Sequence, residues 1–243
     1  MKIKEEFDKR ITELELYFDI LSTLELDKPK LNAYDVLNEQ SKEIIFNSTQ
    51  INIFRASSFL LMYNLVESTI FNSIVAIFDS INSETHNPKL KFFNVIDDIK
   101  KYWLGHLYKH DENAKKNTVV NWYLNISNKI FDQSLELVTT QIKYGGSLDA
   151  KSIRTTAQDL GIKIDKLNRG YNENTHGEAL KTICKYRNWL AHGEKTFAEL
   201  GQDYPYSRLD ELKKFTIEHL NKYINSVEEY IENEEYKKRE EVI

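Results

Sequence analysis

Two side chains that could do chemistry, Arg187 and His192, stand five positions apart near the end of an apolar, helix-like run. Arginine carries a charged fork of N–H donors that suits phosphoryl oxygens, and histidine can both take and give a proton near neutral pH. On an ideal helix five positions correspond to roughly 140° of rotation and about 7.5 Å of rise, so the two side chains flank one edge. Their charged ends could then converge on one phosphate. The pair supplies the residue types needed for metal-free cleavage of a phosphodiester.

The residue after this histidine, Gly193, predicts where the helix ends. Glycine is favoured just past a helix C-terminus, so His192 is expected in the last turn, where the helix dipole stabilises an imidazolium. The same spacing has a purely structural interpretation, in which Arg187 is a solvated helix arginine and His192 caps the helix. Spacing alone does not decide between the two interpretations.

Residues 187–193 read R-N-W-L-A-H-G and resemble the signature of the HEPN superfamily, most closely its bacterial branch with the motif R-N-x-L-A-H-G. Two upstream segments agree in the same order. They are Tyr63 to Glu67, which resembles the Y-N-x-x-E helix of that branch, and Gly146 to Asp149 with Ile153 and Gly161-Ile162, which resembles its central segment. The likeness covers about residues 50–200, and the first forty residues and the last helix match no motif.

The resemblance implies a metal-independent endoribonuclease of HEPN type that acts as a toxin or in defence against phage. In that family the helices carrying arginine and histidine meet across a two-fold axis, so two copies of the motif build one composite site. The RNA 2′-hydroxyl would attack the adjacent phosphate, with His192 as general acid or base, Arg187 stabilising the crowded phosphorus and Asn188 helping to position it. The implied partners are an RNA substrate, a second copy of the chain and, for a toxin, a neutralising antitoxin. The resemblance implies no cofactor and no metal.

Asn64 and Glu67 lie three positions apart on an apolar helix and are therefore neighbours on one face. A carboxylate in such surroundings needs a partner, because burying an unpaired charge is costly. In the resembling family these positions approach the helix with arginine and histidine, so Glu67 could pair with Arg187 or orient His192, and Asn64 could support it. Alternatively, Glu67 lies on an exposed strip or pairs with Arg55.

Composition and charge indicate a globular chain with a local basic surface rather than a protein that coats nucleic acid. The net charge is −5, and apolar and charged residues make up 41% and 29% of the sequence. A nuclease that grips short or structured RNA needs only a local basic surface, and Lys181, Lys185 and Lys195 cluster around the motif. Solvated helix faces are the alternative, because acidic residues are interspersed.

Since no signal peptide or uninterrupted apolar span is recognised, a cytoplasmic location without membrane contact is expected. The single Cys184 suits a reducing compartment.

Apolar periodicity predicts an all-α fold, an up-and-down bundle of long helices without strands. One HEPN-like domain is expected over residues 1–243, with a motif-bearing core at about 50–200 and helices 1–26 and 207–238 packed on it. The expected elements of the first half are a helix at 3–24, a weaker helical stretch leading into a central apolar helix at 51–81, a loop at 82–90 and short helices within 92–110. The second half is expected to contain a long helix at 119–142 stopped by Gly145-Gly146, a helix capped by Ser147 and Asp149 that ends at 160, the motif helix capped by Thr175 and Glu178, and a last helix at 207–238 with a fraying tail at 232–241.

Two other functions fit parts of the sequence. A non-catalytic helical binding module could use the same fold to hold a nucleotide or protein partner, although it would need neither Arg187 nor His192. A metallohydrolase could use His106 and His110, which have the i, i+4 spacing of metal ligands, but the glutamate that follows the first histidine in zincins is absent.

Glu194 stands where some HEPN toxins carry a tyrosine that a partner nucleotidyltransferase modifies, which disfavours that route of regulation.

Overall fold

Helices form most of the protein and confirm the all-α class. The computed structural model describes residues 2–85, 91–107, 115–132, 135–142, 147–163 and 172–239. In chain order the helices are α1 (Lys2–Leu24), α2 (Ser48–Thr85), α3 (Asp97–Leu107), α4 (Lys116–Phe131), α5 (Ala150–Asp159), α6 (Glu178–His192), α7 (Phe197–Gln202) and α8 (Tyr206–Glu232). A π-helical turn, Glu173–Gly177, leads directly into α6.

Backbone proximity divides the chain into two compact units. Unit 1 holds Met1–Ser68 and Asn172–Leu220, and unit 2 holds Thr69–Tyr171 and Asn221–Ile243. Two of the boundaries between the units fall inside α2 and α8. Every residue of the candidate site described below belongs to unit 1.

Unit 1 buries the apolar stripe of α1 that the three- and four-residue spacing predicts. The fully buried members of this stripe are Ile3, Phe7, Leu14, Phe18 and Leu21. Phe59 of α2 is also buried, and its ring centroid lies 5.3 Å from that of Tyr186 on α6. Each large apolar side chain removed from water contributes about 1.5–3 kcal/mol. The contact between Phe59 and Tyr186 therefore helps to hold α6, which carries the motif, against α2.

Residues 30–45 form a β-hairpin, so the expectation of a weak helical stretch without strands was wrong there. Strands β1 (Lys30–Asp35) and β2 (Gln40–Ile45) pair antiparallel. The Asp35 carboxylate accepts hydrogen bonds from two backbone N–H groups of the turn, and Glu39 adopts a left-handed φ of 50°. The apolar side chains of the hairpin are exposed except for the half-buried Ile44, so their spacing has no core against which to select a helical face. Local turn chemistry decides the conformation instead.

In unit 2, the helix expected at 119–142 is shorter than predicted, because α4 ends at Phe131. Leu137 is buried beyond it, and the Asn82 side chain accepts from the Leu137 N–H at 3.0 Å and donates to its C=O at 2.7 Å. Because Asn82 satisfies these backbone groups, the segment buries Leu137 without being helical. Helix α2 continues past its expected end at residue 81 to Thr85, so the first residues of the loop expected at 82–90 are helical. The glycines expected to end the longer helix lie outside the described residues.

The described residues after α8, 233–239, are folded, so the expected fraying was wrong for this part of the tail. The helix ends at Glu232, and Glu234 then adopts a left-handed φ of 50°. Tyr236 is buried, and its carbonyl accepts a hydrogen bond from the Ile96 N–H at 2.9 Å. These interactions attach the tail to the segment before α3, within unit 2.

One stretch of the described chain, Ser48–Ser83 of α2, is long and apolar enough to cross a membrane by length and composition alone. Its most apolar 18-residue window has a mean hydropathy of 1.4, and half of that window is buried inside the protein. The central helix of a globular bundle meets the same criterion, as the sequence predicted for this helix.

Gly201 gives a direct test of how tightly α7 packs on α2. A Cβ atom at Gly201 would lie 1.8 Å from the Asn52 carbonyl oxygen, so Gly201→Ala should lower the free energy of unfolding by about 1–3 kcal/mol or more. Gly105→Ala in α3 is the matched control, because nothing lies within 4 Å of that position. It should be neutral or stabilise by about 0.5–1 kcal/mol. Urea denaturation of both variants measures the difference, and equal stabilities would contradict this packing.

Candidate active site

The motif helix α6 ends where the sequence predicts and begins where it does not. His192 is its last residue, and Gly193 follows with a left-handed φ of 72°. At the other end, Thr175 was predicted to cap the helix but lies inside the π-helical turn. The Asn172 side chain caps that turn by accepting a hydrogen bond from the Asn174 N–H at 2.9 Å. The predicted capping box is replaced because the helical turns start earlier than the capping pattern suggested.

Arg187 is held on three sides. Its guanidinium carbon lies 4.0 Å from the ring centroid of Tyr63 on α2, and Tyr63 is 4% exposed. One Nη atom donates to the Oδ1 of Asn188 at 3.0 Å, and the other lies 3.9 Å from a carboxylate oxygen of Glu67. The arginine side chain is still 27% exposed. Its fork is therefore oriented by neighbours but remains accessible to an anion.

Glu67 is the predicted partner of Arg187, and the geometry selects that alternative over a pair with Arg55. Arg55 instead donates from Nε to the Glu25 carboxylate at 2.7 Å. The separation of 3.9 Å between Glu67 and Arg187 is long for an ion pair, and the Glu67 side chain is 42% exposed. A pair of this kind contributes little to stability, at most about 1 kcal/mol. The largely buried ring of Tyr63 is the stronger constraint on the guanidinium.

His192 is presented differently from Arg187. Its side chain is exposed, and no residue that the structure describes forms a hydrogen bond or an ion pair with the imidazole. Arg187 contacts α2, whereas His192 is rotated from it by roughly 140° at the free end of the helix. No hydrogen bond links His192 to Arg187, Asn188 or Glu67 within the described chain. The structure thus supplies both groups on one helix but does not bring them together.

The predicted RNA-binding lysines flank the motif on the surface. Lys181 pairs with Glu178 at 3.2 Å, and Lys195 pairs with Asp203 at 2.9 Å, an interaction that raises the pKa of Lys195. Lys185 is exposed and lies over the ring of Trp189, with Nζ 4.4 Å from the centroid. Of the three lysines, only Lys185 has no carboxylate partner within the described chain.

Asn64, the other predicted supporting residue, forms its hydrogen bond with α1. Asn64 is exposed on α2 and accepts a hydrogen bond from Arg10 of α1 at 3.3 Å. Cys184 is buried, and the Asn188 amide lies 4.0 Å from its sulfur. The side chains of His106 and His110 lie outside the described part of the chain. Among all the residues that the structure describes, no group of three or more potential metal ligands occurs.

Sequence reasoning missed two aromatic residues of the site. Tyr63 opens the Y-N-x-x-E segment, and it stands four positions before Glu67 on the same helical face. That spacing could have identified Tyr63 as a neighbour of Arg187. Trp189 occupies the variable position of the motif, where the residue type alone gave no signal.

The sequence of the whole chain shows its family. Residues 1–236 match the sequence model of the MAE_28990-like HEPN family. The chain therefore belongs to this HEPN family, and the match extends to the N-terminal and C-terminal helices in which the sequence showed no motif. Comparisons with curated proteins and with solved structures find no significant match.

The exposure of His192 predicts that this side chain is dispensable for folding. His192→Ala should change the free energy of unfolding by less than about 0.5 kcal/mol, because it has no partner within the described chain. Leu190→Ala on the same helix is the control, since Leu190 is buried and its truncation should cost about 2–5 kcal/mol. Chemical denaturation of both variants provides the measurement. A large loss of stability in His192→Ala would assign this residue a structural role.

Proposed function

We propose that the protein is a metal-independent endoribonuclease of HEPN type. The observation that carries the proposal is the arrangement of α6, in which Arg187 is oriented by Tyr63 and Asn188 while the imidazole of His192 is exposed at the helix end. Membership in a HEPN family is compatible with this activity. A helix arginine with only a structural role would not need an oriented and accessible guanidinium.

The proposed reaction is attack of an RNA 2′-hydroxyl on the adjacent phosphorus. A base removes the 2′-hydroxyl proton, the bond from O2′ to phosphorus forms, the bond from phosphorus to O5′ breaks, and an acid protonates the leaving 5′-oxygen. His192 serves as base or acid, since imidazole exchanges protons near neutral pH. Arg187 stabilises the extra negative charge on the crowded phosphorus through its two-pronged donors, and Asn188 keeps that fork in place. The products are a 2′,3′-cyclic phosphate and a 5′-hydroxyl.

We further propose that the site is assembled by two copies of the chain. Arg187 contacts Tyr63 of α2, whereas His192 stands about 140° away around α6 and forms no hydrogen bond with Arg187 in the described chain, which favours a site that a second copy completes. Pairing of two motif helices about a two-fold axis would place Arg187 of one protomer near His192 of the partner subunit. Such isologous contacts are the commonest form of homo-oligomer.

The biological setting that we propose is a toxin or an anti-phage defence component that acts on RNA in the cytoplasm. A toxin of this kind requires a neutralising partner, which would have to cover the exposed end of α6 or separate the two protomers. Glu194 follows the motif where a modifiable tyrosine would be needed, so neutralisation by contact fits the sequence better than covalent modification.

The test is incubation of the purified protein with a mixed RNA pool in EDTA. Wild-type protein should cleave the RNA and leave 2′,3′-cyclic phosphate ends. His192→Ala should lower the rate by about 10²–10⁴-fold, the usual contribution of general acid–base catalysis. Arg187→Lys should lower it by roughly 10²-fold, because lysine keeps the charge but not the fork of donors.

The outcomes separate this function from its rival. Cleavage that needs a divalent metal, or that persists in His192→Ala, contradicts the mechanism. A folded dimer that binds RNA, a nucleotide or a protein without cleaving RNA in any sample would instead identify a non-catalytic HEPN module.

A further inference from the structure

One exposed face of α6 carries a row of residues that leads to the proposed catalytic histidine, and the proposed chemistry does not use its other members. Lys181, Lys185, Trp189 and His192 follow each other at intervals of four, four and three positions, so they lie along one side of the helix. The row is about 16 Å long and ends at the proposed catalytic histidine. It lies on the side of α6 opposite the buried Ile183, and so it is available to a ligand.

Trp189 is the unexpected member of this row. It is only half-buried, and the ammonium groups of Lys185 and Lys195 lie 4.4 and 5.6 Å from its ring centroid. The edge of Tyr186 meets the indole at 5.1 Å and 74°, and Tyr186 in turn packs on the buried Phe59. The indole is therefore supported from the core side while part of it faces solvent between two cations.

This combination suits a single-stranded nucleic acid. Proteins that hold single strands place aromatic rings under the bases and cations beside the phosphates. Lys185 forms no ion pair with any residue that the structure describes, so its charge is available to a phosphate. Lys181 and Lys195 have carboxylate partners, which a phosphate could replace. A hydrophobic protein surface would not require this concentration of positive charge around one indole.

We propose that Trp189 stacks on a base of single-stranded RNA and that Lys185 contacts the neighbouring phosphate, which guides the strand to His192. This inference rests on the proposed ribonuclease function and adds its substrate class, unpaired rather than double-stranded RNA. Bases in a duplex stack on one another and do not present a face to the indole.

The test is fluorescence polarisation with a labelled 2′-O-methyl RNA of mixed sequence, which binds but cannot be cleaved. Trp189→Ala should weaken binding by about 5- to 150-fold, the usual effect of removing one stacking side chain. Trp189→Phe should recover most of the affinity because a ring remains. Trp122→Ala is the control, since Trp122 is also half-buried but lies on α4, outside the row.

Salt dependence distinguishes the two contacts. Lys185→Ala should reduce the slope of log affinity against log salt by about one, whereas Trp189→Ala should leave the slope unchanged because it removes no charge.

If wild-type protein cleaves RNA but Trp189→Ala binds and cleaves it equally well, the stacking inference is wrong and the ribonuclease function stands. If wild-type protein neither binds nor cleaves RNA, both proposals fail. Preference for double-stranded over single-stranded RNA would also overturn the inference.

Discussion

The contact between Arg187 and the Tyr63 ring is the interaction on which the rest of the site depends. A guanidinium over a largely buried aromatic ring is worth about 0.5–2 kcal/mol, and it fixes the plane of the guanidinium. Glu67 alone could not do this, because its carboxylate is 3.9 Å away and half in solvent. The ring thus orients the arginine without neutralising it. An arginine that must meet a phosphate needs this kind of partner, since a close carboxylate would compete with the substrate.

The same packing that stabilises unit 1 also sets the direction of each functional group. The buried side of α6 includes Ile183 and Leu190, which fix the rotation of the helix. That rotation directs Arg187 to α2 and leaves Lys185, Trp189 and His192 facing outward. The left-handed Gly193 ends the helix directly after the histidine, so the imidazole lies at a free end rather than along a packed surface. Arg187 therefore lies against the packed α2, whereas His192 lies on the exposed side of the same helix.

The sequence predicts well those elements whose period is enforced by burial. The stripe of α1, the central apolar α2, the Asp149 cap of α5 and the Gly193 end of α6 all follow from residue spacing and capping chemistry. The hairpin was missed because its apolar side chains face solvent, and the short α4 because a distant side chain, Asn82, satisfies the backbone of Leu137. In the site, the pairing of Glu67 with Arg187 was one of four alternatives, and Tyr63 was not recognised. The spacing places Tyr63 on the helical face of Glu67, but the packing of α6 on α2 decides which residue that face contacts.

The central claim is that Arg187 and His192 act together from two copies of the chain. It is tested most directly by isolating, with two different affinity tags, the heterodimer of Arg187→Ala and His192→Ala, each inactive as a homodimer. The account predicts about half of the wild-type rate of RNA cleavage per dimer, because one of the two symmetry-related sites keeps both residues. A heterodimer that forms but cleaves RNA no faster than its inactive parents would contradict the composite site.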